Sequence, residues 1–212
     1  MNDQKQIFLD ALRHVAKLCA TAAMTAPKSG GQLFLRGGKP FIETVIVEDK
    51  PTLTRLAEWL RARGNKLREP IWFRDADTAE KLDLVLFIGL AKWYPPLYDC
   101  GACGFPTCGE FTKNAAQHRA AASDVNEWEF AGPICQMRCI DLGIAVGSAA
   151  KVASMNNIDT RCQTRIAAAA RHLGLIEADI AVALSMSVTH KNIFFDKKMP
   201  EVTFDTPLME KK

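Results

Sequence analysis

The sequence lacks any apolar run long enough to cross a lipid bilayer. Its longest strongly apolar stretch, Leu84 to Ala91, is far shorter than the roughly 20 residues that a membrane-spanning helix needs. The first residues lead into an amphipathic segment, and the apolar core of a secretory signal is not found there. We therefore predict a cytoplasmic protein with no membrane partner.

An excess of positive charge is also missing. Lys and Arg number 27 against 24 Asp and Glu, which gives a net charge of +3, and the basic residues form no dense run. Nucleic-acid binding is therefore not expected. The charged share of 24% is ordinary, and the hydrophobic share of 48% is enough for a core. The length suits a single domain over residues 1–212.

Hydrophobic periodicity predicts an α/β protein with a sheet and flanking helices. Residues 82–88 are apolar on both faces, which is typical of a central strand covered by helices on each side. The predicted helices cover residues 8–25, 51–64, 75–81, 134–154 and 160–173, and the predicted strands cover residues 33–35, 41–47, 71–73, 82–88 and 181–186.

The cysteines carry the strongest chemical signal. Without a secretory signal, clustered thiols are more often metal ligands or catalytic groups than disulfides. Cys100, Cys103 and Cys108 stand within nine residues, in the segment CGACGFPTC, whose glycines and proline let the backbone turn tightly. A cubane [4Fe-4S] cluster needs one thiolate for each iron, and a loop of this kind supplies three.

Two later cysteines compete for the fourth position. If residues 134–154 are helical, Cys135 and Cys139 lie one turn apart on one face, so spacing does not choose between them. Helix-end electrostatics favour a thiolate at Cys135, which follows Pro133 in the first turn. Four clustered cysteines would also satisfy a structural zinc ion, although zinc sites usually show two separate short pairs.

The chain resembles a family of uncharacterised ferredoxin-domain proteins from mostly anaerobic microbes. The resemblance rests on TAPK at 25–28, FRDA at 73–76, residues 100–111, DLGIAVGSA at 141–149 and KNIFFD at 191–196. In the pattern of that family the fourth ligand precedes Asp-Leu-Gly by six residues, which is Cys135 here. Cys139 stands where the family usually has an aliphatic residue, and it stays the alternative.

The resemblance implies a nitroreductase-like fold, with residues 95–139 as an insertion that carries the cluster. It also makes FMN a candidate for a second cofactor. Lys28, Ser29 and Gly30, at the end of the first helix, could hold the flavin phosphate, although an ordinary helix-ending turn explains the same residues. Such folds are usually homodimers, and the strip of Gly143 and Gly147 would then lie at the interface.

Three functions are compatible with these observations. The leading one is a cytosolic [4Fe-4S] oxidoreductase that exchanges single electrons with a flavin or with a redox partner protein. The second is a non-enzymatic electron carrier or adaptor with the same cluster, and the third is a structural metal-binding protein. No catalytic acid or base is identified. Cys19 and Cys162 are interpreted as core residues, since free cysteine packs like a small hydrophobe.

Overall fold

The protein was analysed as a computed structural model, which describes residues 4–29, 40–91, 94–121, 128–189, 191–195 and 201. These residues form an α/β structure with helices on both faces of one sheet, as predicted. In chain order the elements are α1 (Gln4–Thr25), β1 (Ile42–Val47), α2 (Lys50–Leu67), α3 (Pro70–Lys81), β2 (Leu84–Leu90), α4 (Cys108–Ala121), α5 (Gln136–Met155), β3 (Asp159–Gln163), α6 (Thr164–His172) and β4 (Ile180–Ser187).

The four strands form one sheet in the order β1-β2-β4-β3, and each neighbouring pair is antiparallel. In the centre, Phe87 of β2 is paired with Val45 of β1 on one side and with Ala183 of β4 on the other. Every residue of β2 is buried. The prediction of a central, doubly covered strand is confirmed.

The two faces of the sheet belong to two separate cores, because successive side chains of a strand point to opposite faces. Val85 and Phe87 pack with α2, α3 and α6. Leu84, Leu86 and Ile88 pack with α1 and α5 on the other face. The result is a three-layer arrangement in which α5, the helix that follows Cys135, lies against α1 and the sheet.

Two predicted elements were wrong in type. Residues 71–73 are the first turn of α3 and not a strand, because Pro70 occupies the start of the helix and residues 72, 76 and 79 are its buried stripe. Residues 160–163, expected to begin a helix, belong to edge strand β3 (Asp159–Gln163). There Cys162 is exposed, so its predicted place in the core was also wrong. Pairing with β4 decides this segment against its local pattern.

Helix α2 runs past its predicted end at Gly64. The helix continues to Leu67, and Gly64 is buried inside it. A Cβ atom added there would lie 2.7 Å from Cε2 of Phe73, so the glycine allows the close approach of α3. Its role is packing and not helix termination.

Phe194 of the C-terminal segment is buried in the core that α2, α3 and α6 form with the sheet, whereas Phe195 is exposed. The predicted strand at 33–35 lies outside the described residues. None of the helices in the described part of the chain is long and apolar enough to span a membrane.

Candidate iron–sulfur centre

Four residues in and just before the cysteine loop have a left-handed backbone conformation. Leu97, Asp99, Gly101 and Gly104 have φ angles of 64°, 47°, 71° and 85°. The Gly104 N–H donates to the Gly101 carbonyl at 2.9 Å, which closes a tight turn between Cys100 and Cys108. Leucine and aspartate adopt positive φ only at a cost, and such strain is concentrated at functional sites.

Cys108 is fixed at the start of a helix. Thr107 precedes it, and its Oγ1 accepts the Glu110 N–H at 3.2 Å, so the threonine caps α4. The Cys108 N–H donates to a carboxylate oxygen of Asp99 at 2.6 Å, and the Asp99 N–H donates to the Cys108 sulfur at 3.3 Å. These two hydrogen bonds hold Cys108, the last cysteine of the loop, against Asp99 at the start of the loop. Helix α4 was not predicted from the sequence, because it buries only a few apolar side chains.

Cys135 is the N-cap residue of α5, and its side chain takes none of the N–H groups of the first helical turn. It is buried in a small apolar cluster with Phe111 and Ala115 of α4, and the loop residues Cys103 and Phe105 pack against the same cluster. Two cysteines that are 32 positions apart therefore meet in one cluster, close to the N-termini of two helices. The positive ends of both helices favour negative groups there.

Cys139 lies one turn further into α5 and is half-buried. Its N–H donates to the Cys135 carbonyl at 3.1 Å, the first hydrogen bond of the helix. Burial raises the pKa of the Cys139 thiol, and the charge of Cys135 raises it further. The two thiols therefore interact electrostatically and differ in burial.

The candidate ligands differ in exposure. Cys100 is exposed, Cys103 is half-buried, and Cys108 and Cys135 are buried. No three side chains of His, Cys, Asp or Glu in the described ranges stand close enough together to hold a metal ion as they are. The residues nevertheless fit an iron–sulfur cluster in chemistry, because they offer thiols, flexible glycine amides and helix N-termini.

A buried charge network beside Cys135 was missed by the sequence reasoning. Arg138 and Asp141 of α5 form an ion pair at 3.0 Å in which both side chains are almost fully buried. The Arg138 guanidinium also donates to the Tyr94 carbonyl at 3.0 Å and lies 4.1 Å from the centre of the Phe41 ring. The signal in the sequence for this network was Arg138, a charged residue on the buried face of α5, three positions after Cys135.

Ser29 completes this network. The Ser29 N–H donates to Asp141 at 2.8 Å, and its hydroxyl donates to the other oxygen of that carboxylate. Arg138 donates to the hydroxyl of Ser29 at 3.1 Å and to its carbonyl at 3.2 Å. Three segments are thereby joined: the end of α1, the approach to the cysteine loop and the start of α5.

Lys28 and Ser29, two of the predicted flavin-phosphate residues, line a cavity of about 460 Å³ together with Phe41 and the end of α1. The Lys28 ammonium group donates to the carbonyls of Ala23, Met24 and Ala26 at 2.8–2.9 Å, so it caps the helix. Burial lowers the pKa of this group, and Asp141 partly offsets the effect. Gly30 lies outside the described residues, and the flavin site stays a prediction.

The comparisons with known proteins agree with the cysteine chemistry. Residues 131–197 match the family model described as "Uncharacterized protein containing a ferredoxin domain", and residues 96–124 match one described as "Putative Fe-S cluster". An uncharacterized protein of Archaeoglobus fulgidus is 35% identical over 197 residues, which cover 92% of this chain and 96% of that relative. The chain belongs to this ferredoxin-domain family. The iron–sulfur cofactor predicted from the cysteine loop is supported by both family matches.

The solved structures that this ferredoxin-domain protein resembles include a nitroreductase and an NADPH:FMN oxidoreductase. Nitroreductase A of Vibrio parahaemolyticus has a TM-score of 0.47 at 12% identity, with 89% of this chain and 63% of that one covered. The NADPH:FMN oxidoreductase of Vibrio harveyi, complexed with NAD+, has a TM-score of 0.48 at 12% identity, with 92% and 69% covered. This chain spans less than two thirds of the first enzyme.

Proposed function

We propose that the protein is a cytosolic redox protein that holds one [4Fe-4S] cluster through Cys100, Cys103, Cys108 and Cys135. Residues 95–139 would form the cluster-carrying insertion of a single domain. A cluster of this kind accepts and releases one electron at a time, which suits exchange with a flavin or a partner protein. The ferredoxin-domain protein would then work as an electron-transferring oxidoreductase.

One observation carries the proposal. Cys108 begins α4, Cys135 caps α5, and the apolar cluster of Phe111 and Cys135 brings the two helix starts together next to Cys103. Thiolates carry negative charge, and each helix N-terminus stabilises such a charge by about 0.3–1 kcal/mol. The apolar surroundings would also limit access of water to the cluster.

The ligand set distinguishes a cubane from structural zinc. Tetrahedral zinc also accepts four cysteines, but it usually takes them as two short pairs. Here three cysteines come from one loop with left-handed turns, and the fourth comes from a distant helix cap. This arrangement favours the cluster, and zinc is kept as an outcome of the experiment.

A second candidate function is an electron carrier or adaptor without flavin. The observation that favours it is Lys28, whose ammonium group donates to three carbonyl oxygens at the end of α1. A flavin phosphate would have to replace these bonds. The oxidoreductase needs FMN, or a partner that supplies electrons, whereas the carrier needs neither bound flavin nor a substrate site.

We also propose that two copies of the chain associate through α5. Gly143 and Gly147 face outward, and a Cβ atom added to either would meet nothing within 4 Å. Ile140 and Ile144 are exposed on the same helix. A strip of glycine beside exposed isoleucine would let the same helix of a second copy approach closely.

The deciding experiment is spectroscopy and metal analysis of protein purified without oxygen. The cubane predicts a brown protein with about four irons and about four sulfides per chain. Colourless protein with one zinc would refute both redox functions. A yellow chromophore released by acid precipitation would favour the oxidoreductase, and its absence from a brown protein would favour the carrier.

Serine variants test the ligands in the same preparation. Cys100→Ser, Cys103→Ser and Cys108→Ser should each cost most of the cluster, because each removes the only protein ligand of one iron. Cys19→Ser and Cys162→Ser are the matched controls and should keep the full iron content. Full iron retention in a loop variant would remove that cysteine from the proposed site.

A further inference from the structure

The Arg138–Asp141 ion pair is placed where it contributes little to stability. Both side chains are at most 5% exposed. Removing two charges from water costs several kcal/mol for each ion, and replacing a buried pair by apolar residues is often neutral or stabilising. The remainder of the buried stripe of α5 is apolar, with Leu142, Ala145 and Ala149. A role other than packing is therefore indicated for the pair.

The position of the pair relative to the proposed ligands suggests this role. Arg138 is the third residue after Cys135, the N-cap residue of α5, and both side chains are buried. Its Nε donates to the Tyr94 carbonyl, at the approach to the cysteine loop. Arg138 therefore touches the chain on both sides of the site.

Low exposure strengthens the effect of these charges on neighbouring groups. A unit charge in water is screened, whereas a charge within the protein acts through a lower effective dielectric constant. The Arg138 charge is compensated by Asp141 alone among the contacts that its guanidinium makes in the described structure, since the other acceptors are the neutral groups of Tyr94 and Ser29. Removing Asp141 leaves the Arg138 charge without its ion-pair partner, and removing Arg138 leaves Asp141 with the attraction of Lys28 but without its ion pair.

We propose that Arg138 and Asp141 are positioning residues that set the reduction potential of the cluster, Arg138 by favouring the reduced state and Asp141 by limiting that effect. The inference rests on the proposed function. The step concerned adds one electron to the cluster from an external reductant, and no bond or proton changes. Added negative charge is stabilised by Arg138 and opposed by Asp141, so the two residues must act in opposite directions.

The test is a potentiometric titration of the iron–sulfur protein with dithionite and mediators, followed by electron paramagnetic resonance. Arg138→Gln should lower the midpoint potential, and Asp141→Asn should raise it. At a fixed potential each change should alter the ratio of reduced to oxidised cluster about tenfold, which is about 59 mV for one electron. The double variant should return close to the wild-type potential, because the two charges are removed together.

A control variant separates charge from structure. Arg165→Gln removes a cation from the other buried carboxylate, Asp75, which it contacts at 2.7 Å on the opposite face of the sheet. This variant should lose stability and keep the wild-type potential.

The outcomes distinguish the inference from the proposed function. Wild-type protein without a cluster refutes the proposed function and the inference with it. A wild-type cluster whose potential moves in the same direction in both single variants, or in neither, refutes the inference alone. If Arg138→Gln does not retain the cluster, Arg138→Lys keeps the charge and should show the wild-type potential, and Asp141→Asn still has to show the upward shift.

Discussion

Replacing Cys135 and Cys139 in turn by serine tests the fourth ligand most directly. We expect Cys135→Ser to lower the iron content from about four to about three or fewer per chain, and Cys139→Ser to keep about four. The reason is position: Cys135 caps α5, and its sulfur leaves the N–H groups of the first turn free for another partner. The thiol of Cys139 lies one turn further in, where burial raises its pKa.

The size of the preference for Cys135 over Cys139 follows from the electrostatics of the α5 N-terminus. A helix N-terminus favours a negative group by about 0.3–1 kcal/mol, or at most about fivefold in binding, and the effect falls off within one turn. Serine is itself a good N-cap residue, so Cys135→Ser should not weaken α5. Iron loss in this variant would then report the lost ligand and not an unfolded helix.

The assay is an iron and sulfide count on both variants, with electron paramagnetic resonance to detect a three-iron form. Thermal unfolding of the iron-free proteins, followed by circular dichroism, should give similar Tm values for Cys135→Ser and the wild type. The opposite pattern of iron content would identify Cys139 as the ligand and refute the argument from the helix cap. Four irons in both variants would exclude each of these cysteines.

Three further outcomes follow from packing and titration. Gly64→Ala should destabilise the protein by about 1–3 kcal/mol in urea unfolding, because overpacking against Phe73 outweighs the helix propensity gained; a more stable variant would show that the Phe73 ring moves away freely. Gly147→Leu should separate the proposed dimer in analytical ultracentrifugation, and an unchanged sedimentation coefficient would argue against this interface. Burial raises the pKa of the Cys19 thiol to about 11, so the folded state keeps this proton longer than the unfolded state. Stability should therefore fall between about pH 9 and 11, by about 1.4 kcal/mol per pH unit, and Cys19→Ala should remove that part of the slope in denaturant unfolding.

The sequence by itself determined the parts of the protein that depend on short-range patterns. The spacing of Cys100, Cys103 and Cys108 predicted an iron–sulfur loop, and the family matches support it. The apolar run around Phe87 predicted a covered central strand, since a strand that is apolar on both faces must be packed on both. These signals lie within a few residues of one another, so no long-range contact is needed to interpret them.

Tertiary structure decided what depends on distant partners. Residues 160–163 are a strand because β4 pairs with them, and residues 71–73 are helical because Trp72 packs into the core beside α2. Sequence spacing did not distinguish Cys135 from Cys139 as the fourth ligand. In the fold, only Cys135 lies in the apolar cluster that packs against Cys103. The contact of Ser29 with Asp141 spans 112 positions, and no local pattern could have predicted it. Periodicity indicates which face of a helix is buried, whereas the identity of the group packed against it is set by the fold as a whole.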